Sequence, residues 1–276
     1  MTNSSTNDLK DEIARFVKAR PTDRVLFASE LAEAVALVTG VAPGDVLTLD
    51  LSAALTEPTA DGDHRVVPAQ IDLVTTLAAV DSELERRPAA LLIVPAVAEA
   101  TGEVVPLPAL AAIAHRRGAR LLVDGSEVVS RRAVNLTSHG IDYLVLSGRS
   151  VAGPAVVVGR GDWLADCADA DSADADIATV GTEWSPARAL ADLGYESAGL
   201  HEQALSEWLD AEVARHPRIR RLQLWPDVRD RVGIASLTVA GHGQPTVLRW
   251  DAHTGIDELA RQLNSLVDST LEQEKS

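Results

Sequence analysis

Asp124 closes the apolar run Arg120-Leu-Leu-Val123 and is followed at once by Gly125-Ser126-Glu127. A carboxylate at the end of a buried strand does one of two things. It faces a ligand, or it caps the turn that follows by accepting from nearby N–H and O–H groups. The residues alone leave both open. Other chemistries are easier to exclude. The single cysteine, Cys167, permits neither an internal disulfide nor a cysteine-rich metal site. None of the seven histidines pairs at zinc spacing, and His242 and His253 stand isolated. There is no Gly-rich dinucleotide or phosphate loop. Ser150, in Ser147-Gly148-Arg149-Ser150, has no Gly-x-Ser-x-Gly elbow and no assignable His. The acidic run from Asp166 to Asp176 offers oxygens to a hard cation. It lacks the glycine turn and closing Glu of a calcium loop, so a solvated loop is expected. Lysine is scarce: Lys10, Lys18 and Lys275 are all there are, and each lies near a terminus.

The elements that must position Asp124 need a core, and the composition provides one. A chain of 276 residues with 46% hydrophobic content suits one large domain, or a large domain with a smaller one attached. Net charge is −16, from 41 acidic against 25 basic residues. That denies the chain the basic face that nonspecific nucleic-acid binding needs. It favours solubility and, weakly, cationic or protein partners. No apolar run approaches the length of a membrane span, and the opening Met1-Thr-Asn-Ser-Ser-Thr-Asn is polar. A cytoplasmic protein is expected, with no nucleic-acid or membrane partner.

Periodicity predicts alternating helices and strands. Helices are expected over 8–18, 30–39, 70–86 and 106–116. Strands are expected over 24–27, 45–49, 65–67, 89–94, 120–123, 142–146 and 155–158. Ala89-Ala-Leu-Leu-Ile-Val94 is continuously apolar, as in a strand covered on both faces. The alternation implies an α/β, mostly parallel sheet between two helical layers. Beyond residue 160 the pattern changes. One long helix over 185–214, or two broken at Gly194 or Gly199, precedes strands over 218–224, 232–239 and 246–250 and a last helix over 256–271. That order fits a small α+β unit.

Five segments carry a resemblance. They are Val25-Leu-Phe-Ala-Ser-Glu-Leu-Ala-Glu-Ala34, Ala100-Thr-Gly102 with Val104 and Pro106, and Leu121-Leu-Val-Asp-Gly-Ser-Glu127. The others are Leu146-Ser-Gly-Arg-Ser150 with Gly153-Pro154, and Val180-Gly-Thr182 with Pro186. In this order and spacing the chain resembles fold-type I pyridoxal phosphate (PLP) enzymes of the class V aminotransferase and cysteine desulfurase group, over nearly its whole length. The resemblance implies a PLP-transferase-like large domain over 1–180 and a small C-terminal α+β domain over 181–276. It also implies a dimer.

The resemblance assigns roles to particular positions. Asp124 matches the Asp that pairs with the protonated pyridine nitrogen. Ser150 stands where the family has the Schiff-base lysine, and Arg149 where it has His. The phosphate cup falls on Glu30, Leu31 and Ala32, where a carboxylate replaces an anion site; Ser29 is expected to cap the helix. Leu51 to Ala54 supplies no ring to stack on the pyridine. Glu99 and Glu127 take the places of an Asn or Asp and a Gln. The family's cysteine loop after the 232–239 strand is missing, and Cys167 lies elsewhere. Thr182 matches a Thr that crosses the dimer interface to the partner's phosphate.

Three expectations follow. The first is a dimeric scaffold, subunit or regulatory partner unable to form the PLP Schiff base, with no cofactor. It would be a homodimer, or a heterodimer with an intact paralogue. Asp124, Ser150 and Thr182 would then be vestigial. The second is an enzyme that reuses a pocket of Glu30, Glu99, Asp124, Glu127, Ser147, Arg149 and Ser150 on a small molecule. Carboxylates sharing a dry site with one Arg have pKa values pushed apart, although the Arg could equally plug the space by salt bridges. The third is non-covalent use of PLP or pyridoxamine phosphate.

Overall fold

Four strands are almost wholly apolar because both faces of their sheet are covered. They are β4 (Leu91–Pro95), β5 (Arg120–Asp124), β6 (Tyr143–Ser147) and β7 (Ala155–Arg160). The computed structural model describes residues 2–51, 65–147, 155–165, 167, 194–240 and 244–273. Successive side chains in a strand point to opposite faces. Accordingly Leu92, Val94, Leu121, Val123, Leu144, Leu146, Val156 and Val158 join one core. Helices α1 (Thr2–Phe16), α3 (Leu73–Arg86) and α4 (Leu107–Arg116) close it with Ile13, Val80, Leu84 and Leu110. Leu91, Leu122, Tyr143, Val145 and Val157 join the other core, closed by Ala34 and Val38 of α2 (Leu31–Thr39) and by Leu164 of α6 (Gly161–Leu164). The expected α/β class, with three layers and helices on both faces, is what forms.

The seven-stranded sheet has the order β1-β7-β6-β5-β4-β2-β3, with β1 at Asp23–Ala28, β2 at Val46–Asp50 and β3 at Arg65–Pro68. Strands β3, β2, β4, β5 and β6 run parallel. Only β7 runs against them: it returns antiparallel beside β6, and β1 lies antiparallel to β7 with Asp23 opposite Arg160 and Ala28 opposite Ala155.

Local chemistry moves several expected boundaries. Helix α3 starts at Leu73 because Asp72 caps it, accepting from Thr75 N–H at 2.7 Å. Helix α7 (Tyr195–Arg215) begins after Gly194, at φ 88°, and runs unbroken through Gly199. Residues 185–193 of its expected range lie outside the described residues, as do the 180/181 domain boundary and nearly all of the acidic run. Two one-turn helices, α5 (Leu136–His139) and α6, are too short for any periodicity to show.

Strands β8 (Ile219–Arg221), β9 (Ile234–Val239) and β10 (Thr246–Arg249) form a separate antiparallel sheet. Its core joins Leu237, Leu248 and Trp250 to Leu205 and Leu209 of α7 and Leu259 and Leu263 of α8 (Ile256–Gln273). Buried carboxylates fasten this unit to the large sheet. Glu202 on α7, 2% exposed, pairs with Arg131 at 3.1 Å and Arg132 at 3.3 Å. Arg131 also donates to the Trp250 carbonyl at 2.6 Å. Glu103, fully buried, accepts from Leu224 N–H at 3.0 Å and pairs with Arg231 at 3.2 Å. Beside it Gly102, at φ 85°, accepts from Val232 N–H at 2.9 Å.

Candidate functional site at the carboxyl ends of the central strands

Open parallel sheets present ligand sites at the carboxyl ends of their strands, and Asp124 is the last residue of β5. Its neighbour across the sheet is Pro95, which ends β4. The chain then turns tightly: Gly125 N–H donates to the Val145 carbonyl at 2.9 Å, close under Leu144 and Leu146 of β6. The Ser126 backbone N–H (3.0 Å) and hydroxyl (2.6 Å) both donate to Asp124 Oδ1. That hydroxyl in turn accepts from Ser147 N–H at 2.9 Å and lies 3.0 Å from the Ser147 hydroxyl. One proton and two lone pairs are thereby all used. Asp124 does cap its turn, yet both bonds fall on Oδ1, and Oδ2 takes none from the described residues. The two sequence-level alternatives for Asp124 are therefore compatible.

Glu99 and Glu127 gather at the same end. Glu99 lies in the turn that follows β4, where Val97 bridges to Val104. Burial is the main cause that raises the Asp124 carboxyl; Glu127 adds to it and the Ser126 bonds oppose it. Partial burial, then the charges of Asp124 and Glu127, raise the Glu99 carboxyl, while Arg249 lowers it. Arg249, from β10 of the small sheet, donates to Glu127 at 3.0 Å. It is the nearer of two cations on Glu127, the other being Arg131 at 4.0 Å, and sequence reasoning missed it. Its only signal was the charge balance that three carboxylates require.

The other expected site residues fall differently. Arg149, Ser150 and Thr182 lie outside the described residues, as do residues 52–54. Ser147 is in place through Ser126. Glu30 is not: it is exposed at the N-cap of α2, and among the described residues no hydrogen bond or ion pair joins it to Asp124, Glu99 or Glu127. Ser29 does not cap this helix. Glu30 holds the cap position without a side-chain bond, and the Glu33 carboxylate turns back to accept from Ser29 N–H at 2.6 Å and Ser29 Oγ at 2.5 Å. Those bonds lower the Glu33 carboxyl. Cys167 is buried in the core against α2, with its Sγ 3.6 Å from the Leu37 carbonyl.

Among the described residues no group of acidic, His or Cys side chains is arranged to hold a metal, and no helix is long and apolar enough to cross a membrane.

Residues 1–170 match the protein family described as Aminotransferase class-V. A cysteine desulfurase of Klebsiella pneumoniae (strain 342) is 34% identical over 142 residues, covering 49% of this chain and 35% of that enzyme. The chain thus matches about a third of that relative's length. The cysteine desulfurase CsdA of Escherichia coli superposes with a TM-score of 0.76 at 16% identity, over 98% of this chain and 84% of CsdA. A NifS-like protein of Rickettsia africae gives 0.75 at 11% identity, over 96% and 87% of the two chains. At such identity the structural likeness shows the fold. The matched family is PLP-dependent, which overturns the expectation that this chain has no cofactor. The described residues would fit PLP at one end: Asp124 Oδ2, which takes no bond from them, would be the atom to accept from a protonated ring nitrogen. They do not fit it at the other, because the N-terminus of α2 already carries Glu30 and the inturned Glu33.

Proposed function

Because the chain belongs to the class V aminotransferase family, we propose that it is a member without a linking lysine of its own, acting as a dimeric scaffold, subunit or regulatory partner. One observation carries this. Between Lys18 and Lys275 the sequence holds no lysine, and Ser150 stands in the segment where the resemblance places one. Burial displaces pKa values and packing moves side chains, but neither creates an amine. The inturned Glu33 at α2 supports the same reading. Residues 1–180 would form the family's large domain and 181–276 the small one. The partner is a second copy or a lysine-bearing paralogue whose site Thr182 would help complete. Native mass spectrometry of the protein alone and mixed with such a paralogue tests this. Homodimers or mixed dimers are expected; a monomer under both conditions overturns it.

A second reading has its own support in the raised carboxyls of Asp124 and Glu99 beside Arg249. Carboxyls lifted toward neutral pH are suited to proton transfer. Asp124, Glu127 and Glu99, with Arg149, would act on a small molecule. A screen of small amines and acids tests it: turnover that survives Asp124→Asn excludes this site.

A further inference from the structure

A cleft of about 560 Å³ opens between α7 and the loop that joins β8 to β9. It shares no residue with the Asp124 site, and its volume lies within the range of small-molecule sites. Its charges are sorted by depth. Deep in the cleft are Arg231, with a side chain 8% exposed, and Arg132, 23% exposed. Both are held from behind. Arg231 Nη2 donates to the Val228 carbonyl at 3.3 Å and meets Glu103; Arg132 Nη1 meets Glu202, and its Nη2 donates to the Arg231 carbonyl at 3.0 Å. Behind Ser206 sits a third guanidinium, Arg221, 4% exposed, which donates to the Ser206 hydroxyl at 2.9 Å and to Asp210 at 2.8 Å. The Nε atoms of Arg231 and Arg221 are buried and have no hydrogen-bond partner among the described residues. The rim has the opposite sign: Glu207, Asp210 and Asp230 are exposed, with Arg229 as the cation among them.

We propose that this cleft binds a small zwitterion of the free amino-acid class, carboxylate inward on Arg231 and Arg132, ammonium outward to Glu207 and Asp230. A carboxylate is matched by the planar donor fork of a guanidinium, whose charge is less heavily hydrated than an ammonium. It gains most where water is excluded, which is at the floor. An ammonium keeps more of its hydration at the rim while meeting exposed carboxylates there. A simple anion would meet the acidic rim on entry, and a simple cation would meet the guanidinium floor.

Calorimetric titration of the full chain with glycine, L-alanine and L-glutamine, against acetate and methylamine as half-ligands, tests this. The amino acids are expected to bind, and each half-ligand at least about tenfold more weakly, since one charge-assisted contact is worth roughly that factor. Glu207→Gln with Asp230→Asn, both exposed and so compatible with folding, should weaken amino-acid binding by about tenfold while acetate, relieved of two rim charges, binds no more weakly than before. Asp124→Asn should leave it unchanged, which separates this cleft from the strand-end site. Acetate binding as tightly as glycine, binding abolished by Asp124→Asn, or no heat with any amino acid at millimolar concentration would each overturn the proposal.

Discussion

Arg249 of the small sheet and Glu127 of the large one meet at 3.0 Å, across the mouth of the site that holds Asp124 and Glu99. The pair is half-exposed, at 47% and 34%. Its stabilising effect is therefore small, and its electrostatic effect on its neighbours is the more useful handle. Arg249→Ala is expected to cost only about 0.2–1 kcal/mol. It should push the Glu99 carboxyl further up, since the guanidinium is the one group that lowers it. A carbon-detected NMR titration of Glu99 reads this directly, and an unchanged midpoint would show that Arg249 does not act on the site.

Asp124→Asn should stabilise the protein at neutral pH. Burial raises the native Asp124 carboxyl above its ordinary value of 3.8, so the folded state favours the protonated form. Its contribution is fully present below pH 3.8 and is lost as pH rises through the raised value. Asn keeps an oxygen for the Ser126 donors and does not titrate. The gain in urea midpoint should appear at neutral pH and fade below 3.8; an equal gain at both would contradict it. Asp81, held to about 2 chiefly by the Arg117 bond, has the reverse sign. Its contribution is present above 3.8 and is lost as pH falls through about 2, so Asp81→Asn should weaken the protein at neutral pH.

Glu202→Ala should be severe. It leaves Arg131 and Arg132 facing a void without their buried counter-charge, a loss of about 3–5 kcal/mol. Arg131 also holds the Trp250 carbonyl, so the small sheet should loosen first. Hydrogen exchange would show protection lost in 234–249 ahead of 91–124; uniform loss would mean that the two sheets unfold as one unit.

Gly102→Ala tests the second fastening. At φ 85° a side chain is strained, and a Cβ would lie 2.6 Å from the Ile234 carbonyl oxygen and 2.9 Å from that of Val232. Backbone atoms cannot step aside as a flexible side chain can. A loss of about 1–3 kcal/mol is expected from the conformation alone, with the clash in addition. A midpoint within error of the parent would show that the turn can be rebuilt.

The strands and layers around the seven-stranded sheet were legible because two-sided burial writes itself as continuous apolar runs, as in Leu91-Leu-Ile-Val94; the strand order was not. Asp124 was legible because a carboxylate ended such a run. Arg249 was not, since an exposed Arg on a short strand looks like any surface residue. Glu103 and Glu202 were missed for the same reason: nothing local separates a carboxylate that will be buried against guanidiniums from one left in water. The cap of α2 was misplaced by one residue because Ser29 is a good cap by type. What decided the geometry was a carboxylate four positions later.

The pairing of β1 with β7 has a consequence for how the chain is made. Asp23 meets Arg160, and Ala28 meets Ala155, so β1 has its sheet partner among the described residues well over a hundred residues downstream. The parallel strands can assemble in order as they emerge, each beside one already present or one crossover away. Residues 23–28 cannot. Contacts this distant in sequence are slow to form. Until synthesis has passed residue 160, β1 waits with unpaired backbone, and that edge of the sheet is where a nascent-chain chaperone, or an unwanted neighbour, would find a strand to extend.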